Sequence, residues 1–258
     1  MRTFKLTIAY DGSRFVGWQR QAAGASVQGL LEAALAPFHD GPATVHGAGR
    51  TDAGVHALGQ VASVGLDTHE RPETLLRACN ARLPPDVRVL RIDETPADFH
   101  ARFSARRKTY RYLLHNAPLA SPFARAYAWH LAEPLQVDAM RAGAEALHGR
   151  HDFAAFRSTG GEVQTTVRTI FRSAMVDVPP CDPWIPAGPG PGGLLAYVVE
   201  GDGFLRHMVR AIVGTLVAVG RGWREPAEIA ALLRHGARAD AGATAPAHGL
   251  YLVRVDYD

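Results

Sequence analysis

From Thr3 to Tyr10 the residues Phe4, Leu6, Ile8 and Tyr10 alternate with polar or small neighbours, and the run ends at Asp11-Gly12. This period of two is the strongest constraint on the fold, because it calls for an extended chain with one dry side and one wet side. Strand-like segments recur at Val61–Leu66, Val87–Ile92, Arg106–Leu114, Thr166–Val178, Leu194–Glu200 and Leu250–Tyr257. Helical segments lie between them. Ser26 is placed as an N-cap, ahead of an apolar face of Leu30, Leu31, Ala34, Leu35 and Phe38. Pro72 opens a second helix, with Leu75, Leu76 and Cys79 inward, and Val137–His148 reads as a third. Phe204–Gly220 reads as an amphipathic helix burying Leu205, Met208, Val209, Ile212, Val213 and Leu216, and Pro226–His235 as a short one. Strands and helices in this order predict an α+β protein with mostly antiparallel sheet. A junction is expected near Phe103–Ala105, dividing the chain into domains 1–104 and 105–258. The Pro/Gly stretch from Pro179 to Gly193 reads as a surface loop joining two strands of a hairpin.

No apolar run approaches the roughly 18 residues that span a bilayer, since Arg206, His207 and Arg210 interrupt the nearest candidate. The first ten residues read as a strand and show no signal-peptide core. A cytoplasmic protein without a membrane partner is expected. The only cysteines, Cys79 and Cys181, form no CxxC pair and read as ordinary free thiols. The formal net charge is +3 and the pI is about 9.1. Lys5 and Lys108 are the only lysines, so arginine carries almost all of the basic charge. Arginine suits phosphate forks and base stacking, which permits a nucleic acid partner without establishing one.

The densest chemistry lies in HGAGRTDAGVHALGQ, His46 to Gln60. A Walker-type phosphate loop would need Gly-Lys-Ser/Thr, and no lysine is present. A dinucleotide fingerprint begins at Gly47-Ala48-Gly49, but Asp52 stands where its third glycine belongs. His46, Asp52 and His56 are competent metal ligands, which leaves a metal-dependent hydrolase open as an alternative. Asp52 also fits a plain turn or cap. Against that reading, Gly47, Ala48, Gly49, Ala53 and Gly54 strip bulk from around one arginine and one acid, as expected where something large must approach a backbone.

GRTDAGVHA, Gly49 to Ala57, resembles the signature of the TruA-type tRNA pseudouridine synthases. The resemblance extends to YDGSRFVGWQRQ (Tyr10–Gln21), SVQGLLE (Ser26–Glu32), DFHARFSARRKTYRY (Asp98–Tyr112), HDFAAFRSTG (His151–Gly160), FLRHMVR (Phe204–Arg210) and TAPAHGLYLVRVDY (Thr244–Tyr257). It covers nearly the whole chain in the family's order, although the Pro179–Gly193 loop looks longer than the usual pattern. It implies two α+β domains around a mixed, largely antiparallel sheet with a basic central cleft, and a homodimer that binds tRNA. The implied activity is isomerisation of uridine to pseudouridine at positions 38, 39 and 40 of the anticodon stem-loop, with no cofactor and no metal.

Residue by residue, the resemblance makes Asp52 the catalytic carboxylate, Tyr110 the active-site tyrosine and Arg210 a catalytic counter-ion to Asp52. It gives Arg50 the task of extruding the base and filling its vacated space. A snorkelling Arg210 and a solvated Arg50 are the plainer readings. Alternation along Arg106–Leu114 places Arg106, Lys108, Tyr110 and Tyr112 on one strand face, which argues against a dry core there. Arg106, Arg107, Lys108 and Arg111 are candidates for phosphate contacts. An inactive RNA-binding relative is a further alternative.

Overall fold

The computed structural model describes residues 1–158, 164–179 and 193–257. In chain order these form β1 (Arg2–Tyr10), α1 (Val27–Leu35), β2 (His46–Gly47), β3 (His56–Leu66), α2 (Pro72–Arg82), β4 (Val87–Thr95), β5 (Arg107–Asn116), β6 (Trp129–Leu131), α3 (Val137–Glu145), β7 (Gly149–Asp152), β8 (Val167–Val178), β9 (Gly193–Gly201), α4 (Met208–Gly220), α5 (Ala227–His235) and β10 (Leu250–Asp256). Short 3-10 turns connect several of them. The chain is α+β, as its periodicity predicts. It divides into two compact units, one holding Met1–Lys108 with Tyr251–Asp258 and the other Thr109–Leu250. The sequence places a junction at 104/105 and the last strand in the second domain. The compact units are drawn differently because β10 returns to pair in parallel with β3 at Tyr251–His56 and Leu252–Ala57.

In the first unit β1 is central, antiparallel to β3 on one side and to β4 on the other. The alternation that opens the chain is realised fully: Phe4, Leu6 and Ile8 are inaccessible to solvent, and each such side chain contributes about 1.5–3 kcal/mol of hydrophobic stabilisation. α1 begins where Ser26 predicts, with its side chain accepting from the Gly29 N–H at 3.2 Å. Such a cap is worth about 1 kcal/mol. β3 starts at His56 instead of Val61, so the second half of the glycine-rich motif is strand and only the segment from Ala48 to Val55 is loop. The reason is the company it keeps: β1, β2 and β10 all pair with β3, and these ladders satisfy backbone groups that the glycines and polar side chains alone would leave in a turn. Cys79 is a buried free thiol, which burial pushes up to about 11.

In the second unit β8 pairs antiparallel with β7 and β9, while β6 runs parallel to β5. The hairpin of β8 and β9 is formed as expected. Its connecting residues 180–192, including Cys181, lie outside the described residues. α4 departs from expectation twice. It begins at Met208, not Phe204, because His207 takes a left-handed backbone with φ of 60°. It is also buried nearly all round instead of along one stripe. Its second face is covered by the segment at 242–245, so close that a Cβ on Gly214 would meet the Ala243 carbonyl oxygen at 1.7 Å. Thr215, polar and fully buried, donates to the Ala211 carbonyl and accepts from the Gly242 N–H. α4 is therefore the core helix of this unit.

Candidate active site

In the first unit the loop from Ala48 to Val55 is tied down carbonyl by carbonyl. The Lys108 ammonium donates to the Ala48 carbonyl at 2.7 Å. The Gln60 amide, from β3, donates to the Gly49 carbonyl at 2.9 Å. The Trp18 N–H donates to the Thr51 carbonyl at 3.0 Å, and the Val55 N–H to the Asp52 carbonyl at 3.1 Å. Beneath the loop the Thr51 and Tyr10 hydroxyls lie 2.7 Å apart, and burial pushes the Tyr10 hydroxyl up to about 12, so it stays neutral. Thr51 points into this network and is buried, whereas Arg50 is exposed and Asp52 half-buried. A buried anchor between two more accessible charged side chains gives the Asp52 carboxylate a fixed position without removing it from solvent.

The small residues of the motif acquire definite roles. Asp52 forms an isolated antiparallel bridge with Gly17, whose φ of +112° is left-handed and whose added Cβ would lie 2.6 Å from the Thr51 carbonyl oxygen. A Cβ at Gly47 would lie 2.5 Å from the Trp18 ring. At Gly47 the missing Cβ lets Trp18 pack, and at Gly17 it lets that segment approach the Thr51 carbonyl; at these two positions the approaching partner is the protein's own chain. Trp18, Thr51, Tyr10 and Gln60 were not among the candidates the sequence suggests. Their signal, a buried polar or aromatic side chain under a loop, becomes visible only through long-range pairing.

The two histidines of the motif face elsewhere. His56 is buried, accepts at Nδ1 from the Gly12 N–H at 3.1 Å and stacks on Tyr251 with ring centroids 4.8 Å apart. His46 packs its ring against His100 at 5.1 Å. Among the described residues no group of three or more His, Cys, Asp and Glu side chains is arranged to hold a metal ion. The His46/Asp52/His56 constellation is thus not assembled as a ligand set.

In the second unit Tyr110 is 7% exposed and meets Phe204 edge to face at 4.9 Å. Two residues on, Tyr112 is fully buried and donates its hydroxyl to the Pro246 carbonyl at 2.8 Å. Burial pushes the Tyr112 hydroxyl far above its usual range, and the nearby Arg210 guanidinium opposes this only in part. Tyr112 is a structural tyrosine, and Tyr110 is buried as well, so at these two positions the strand face is drier than its alternation with Arg106 and Lys108 suggests. Arg210, in the first turn of α4, is half-buried. Its Nε donates to the Ala245 carbonyl at 2.7 Å, and the Ala245 N–H donates to the Arg210 carbonyl at 3.1 Å. A purely snorkelling side chain would not be held this way at its Nε. His207 anchors the start of the helix, with Nδ1 2.8 Å from the Ser158 hydroxyl while the Ser158 N–H donates to the Arg206 carbonyl. A non-glycine residue at positive φ carries about 1 kcal/mol or more of strain, here offset by these bonds. Arg106 and Arg107 are exposed and Arg111 is half-exposed.

The tRNA pseudouridine synthase family profile matches residues 6–104 and 144–258. A tRNA pseudouridine synthase A from Syntrophotalea carbinolica is 45% identical over the whole of this chain and 97% of its own length. The chain belongs to the tRNA pseudouridine synthase family. Relatives of the same name from Methylacidiphilum infernorum and Exiguobacterium share 44% and 40% identity over 98% and 100% of this chain, covering 95% and 99% of their own lengths. Within this family's span, Arg50 and Asp52 fall in the first matched segment and Arg210 in the second. The basic strand bearing Tyr110 lies between the segments and is covered by the full-length relatives.

Proposed function

We propose that this chain isomerises uridine to pseudouridine in tRNA, at positions 38, 39 and 40 of the anticodon stem-loop, acting as a cytoplasmic homodimer. The observation that carries the reading is the 45% identity, over the full chain, to a relative named for tRNA pseudouridine synthesis. The rigidly tied loop that holds Asp52 half-exposed supports it. Among the described residues no helix is long and apolar enough to cross a membrane.

The reaction breaks the C1′–N1 glycosidic bond, turns the uracil, forms a C1′–C5 bond, and removes the C5 proton while N1 takes up one, so that no net proton is lost. No electrons enter or leave, so the chemistry calls for no redox cofactor. Asp52 is the group that acts on the electrophilic carbon. A carboxylate forms a covalent bond and leaves again readily. The always-charged Arg210 is its proposed counter-ion. Tyr110 stacks on the flipped uracil, holds the free base and relays the C5 proton, and Arg50 fills the space the base vacates. Arg106, Arg107 and Arg111 meet phosphates. Lys108 joins them while holding the Asp52 loop by its bond to Ala48.

Incubation with an unmodified tRNA transcript, followed by carbodiimide mapping, is expected to place pseudouridine at the three positions, with the yield unchanged by a chelator. A cleaved product or chelator-sensitive activity would favour the hydrolase, and binding without product the inactive relative. The Tyr110→Phe variant is expected to keep tRNA affinity within about threefold and lose turnover by about a hundredfold or more, the scale of general acid–base help. Equal losses in binding and turnover would remove the proton-relay role. The edge-on contact with Phe204 involves the ring and survives this change.

A further inference from the structure

Residues 98–104 carry a cluster that the proposed reaction does not use. Phe103 is 75% exposed. Its ring lies on His100 at 4.3 Å and 33°, and His100 lies on His46 at 5.1 Å and 35°. The Arg102 guanidinium sits 5.5 Å from the Phe103 centroid. The stack is rigid by construction. The Arg102 and Phe103 N–H groups donate to His100 Nδ1 at 3.1 and 3.4 Å, the Ser104 hydroxyl accepts from the His100 N–H, and the Ser104 N–H donates to the His100 carbonyl. Burial, with His46 and Arg102 nearby, lowers the His100 pKa, which favours its neutral ring.

The fold does not need Phe103 outside. The turn is anchored by Ala101, which is fully buried, donates its N–H to the Ser63 hydroxyl at 3.0 Å and accepts at its carbonyl from the Tyr257 hydroxyl at 2.8 Å. Phe103 is not the only exposed apolar side chain, since Leu119, Phe123 and Trp223 are exposed as well; what sets it apart is the combination of aromatic packing and an arginine on its ring. The sequence around Phe103 is basic: Arg102 precedes it and Arg106, Arg107 and Lys108 follow within five residues, while Asp98 is the one acid of residues 98–108. Ser63 also pairs in the β-ladder with His46, and six residues separate His46 from Asp52. By chain length alone the His46 end of the platform stands within about 20 Å of Asp52, and Phe103 lies two ring contacts further out. An exposed aromatic face with arginine beside it, close to a nucleotide-processing group, is the pairing that single-stranded nucleic acids are held by.

We propose that Phe103, packed on His100, which in turn packs on His46, and flanked by Arg102, is the platform on which an unpaired base of the tRNA stacks, a base other than the uridine being isomerised. This inference rests on the tRNA reading above. Phe103 positions the RNA and touches no reacting atom.

The test compares wild type, Phe103→Ala and Phe103→Trp for tRNA binding at several salt concentrations, steady-state isomerisation, mass in solution and melting temperature. Phe103→Ala is expected to weaken tRNA binding about tenfold, the scale of one lost base–aromatic stack, with the change in KM rather than kcat. The salt slope should stay at the wild-type value, because no phosphate contact is removed. Phe103→Trp should restore the affinity. Affinity of Phe103→Ala within twofold of wild type overturns the proposal. So does a loss that comes with a lower mass or melting point, which would make the ring a contact between copies or a structural one. A wild-type protein that fails to isomerise tRNA would instead remove the functional reading beneath it.

Discussion

Replacing Asp52 by Asn is expected to lower pseudouridine formation at least about a thousandfold, the scale seen when the group at the centre of covalent catalysis is removed. The change is nearly isosteric. The amide keeps the size of the side chain and loses the negative charge and the ability to bond to carbon and leave again. Melting temperature and tRNA affinity should stay close to wild type, because the bonds that hold the loop run through backbone carbonyls, Thr51, Gln60 and Lys108 and not through the Asp52 side chain alone. Release of tritium from C5-labelled uridine in a tRNA transcript, measured in single turnover, reads the effect directly. A rate within tenfold of wild type would move the chemistry to another residue.

The Arg210→Gln variant is expected to lower turnover by about a hundredfold to a thousandfold, as when one charge-stabilising donor is lost from an active site, with a smaller effect on tRNA affinity. Here a structural cost accompanies the chemical one. The Nε bond to the Ala245 carbonyl links the first turn of α4 to the segment at 243–245, and a part-buried carbonyl left without its donor costs about 1–3 kcal/mol. A fall of a few degrees in melting temperature is therefore expected as well. Arg210→Lys separates the two contributions. It keeps the charge but not the planar fork, so it should recover part of the rate and little of the stability. If Arg210→Gln melts lower yet turns over at the wild-type rate, Arg210 is only the clasp of its helix.

Some of this was legible before any tertiary contact. Phe4, Leu6 and Ile8 announce a half-buried strand because period two is a local property, and they lie in the core as read. Ser26 announces a helix start for the same reason, since its hydroxyl needs only the next turn. Other readings failed where the deciding partner is distant in sequence. His207 looks like one more helical residue, but its left-handed φ is held by Ser158, 49 positions away. α4 looks amphipathic because the segment that covers its second face arrives some 30 residues later. The small residues around Asp52 promised a close approach, and at Gly47 the partner is Trp18.

The sequence by itself determined the α+β class, the order of most elements and the set of chemical groups, because hydrophobic period, capping and side-chain identity act over a few residues. Tertiary structure alone decided which of those groups are tied into the fold and which keep accessible surface. Tyr112 and His56 became struts when burial and hydrogen bonds engaged their polar atoms. Asp52 was left half-exposed on a loop fastened through its backbone, and Phe103 was left outside on a rigid turn. Exposure and hydrogen-bond saturation depend on chain segments far apart in sequence, and only folding brings those together.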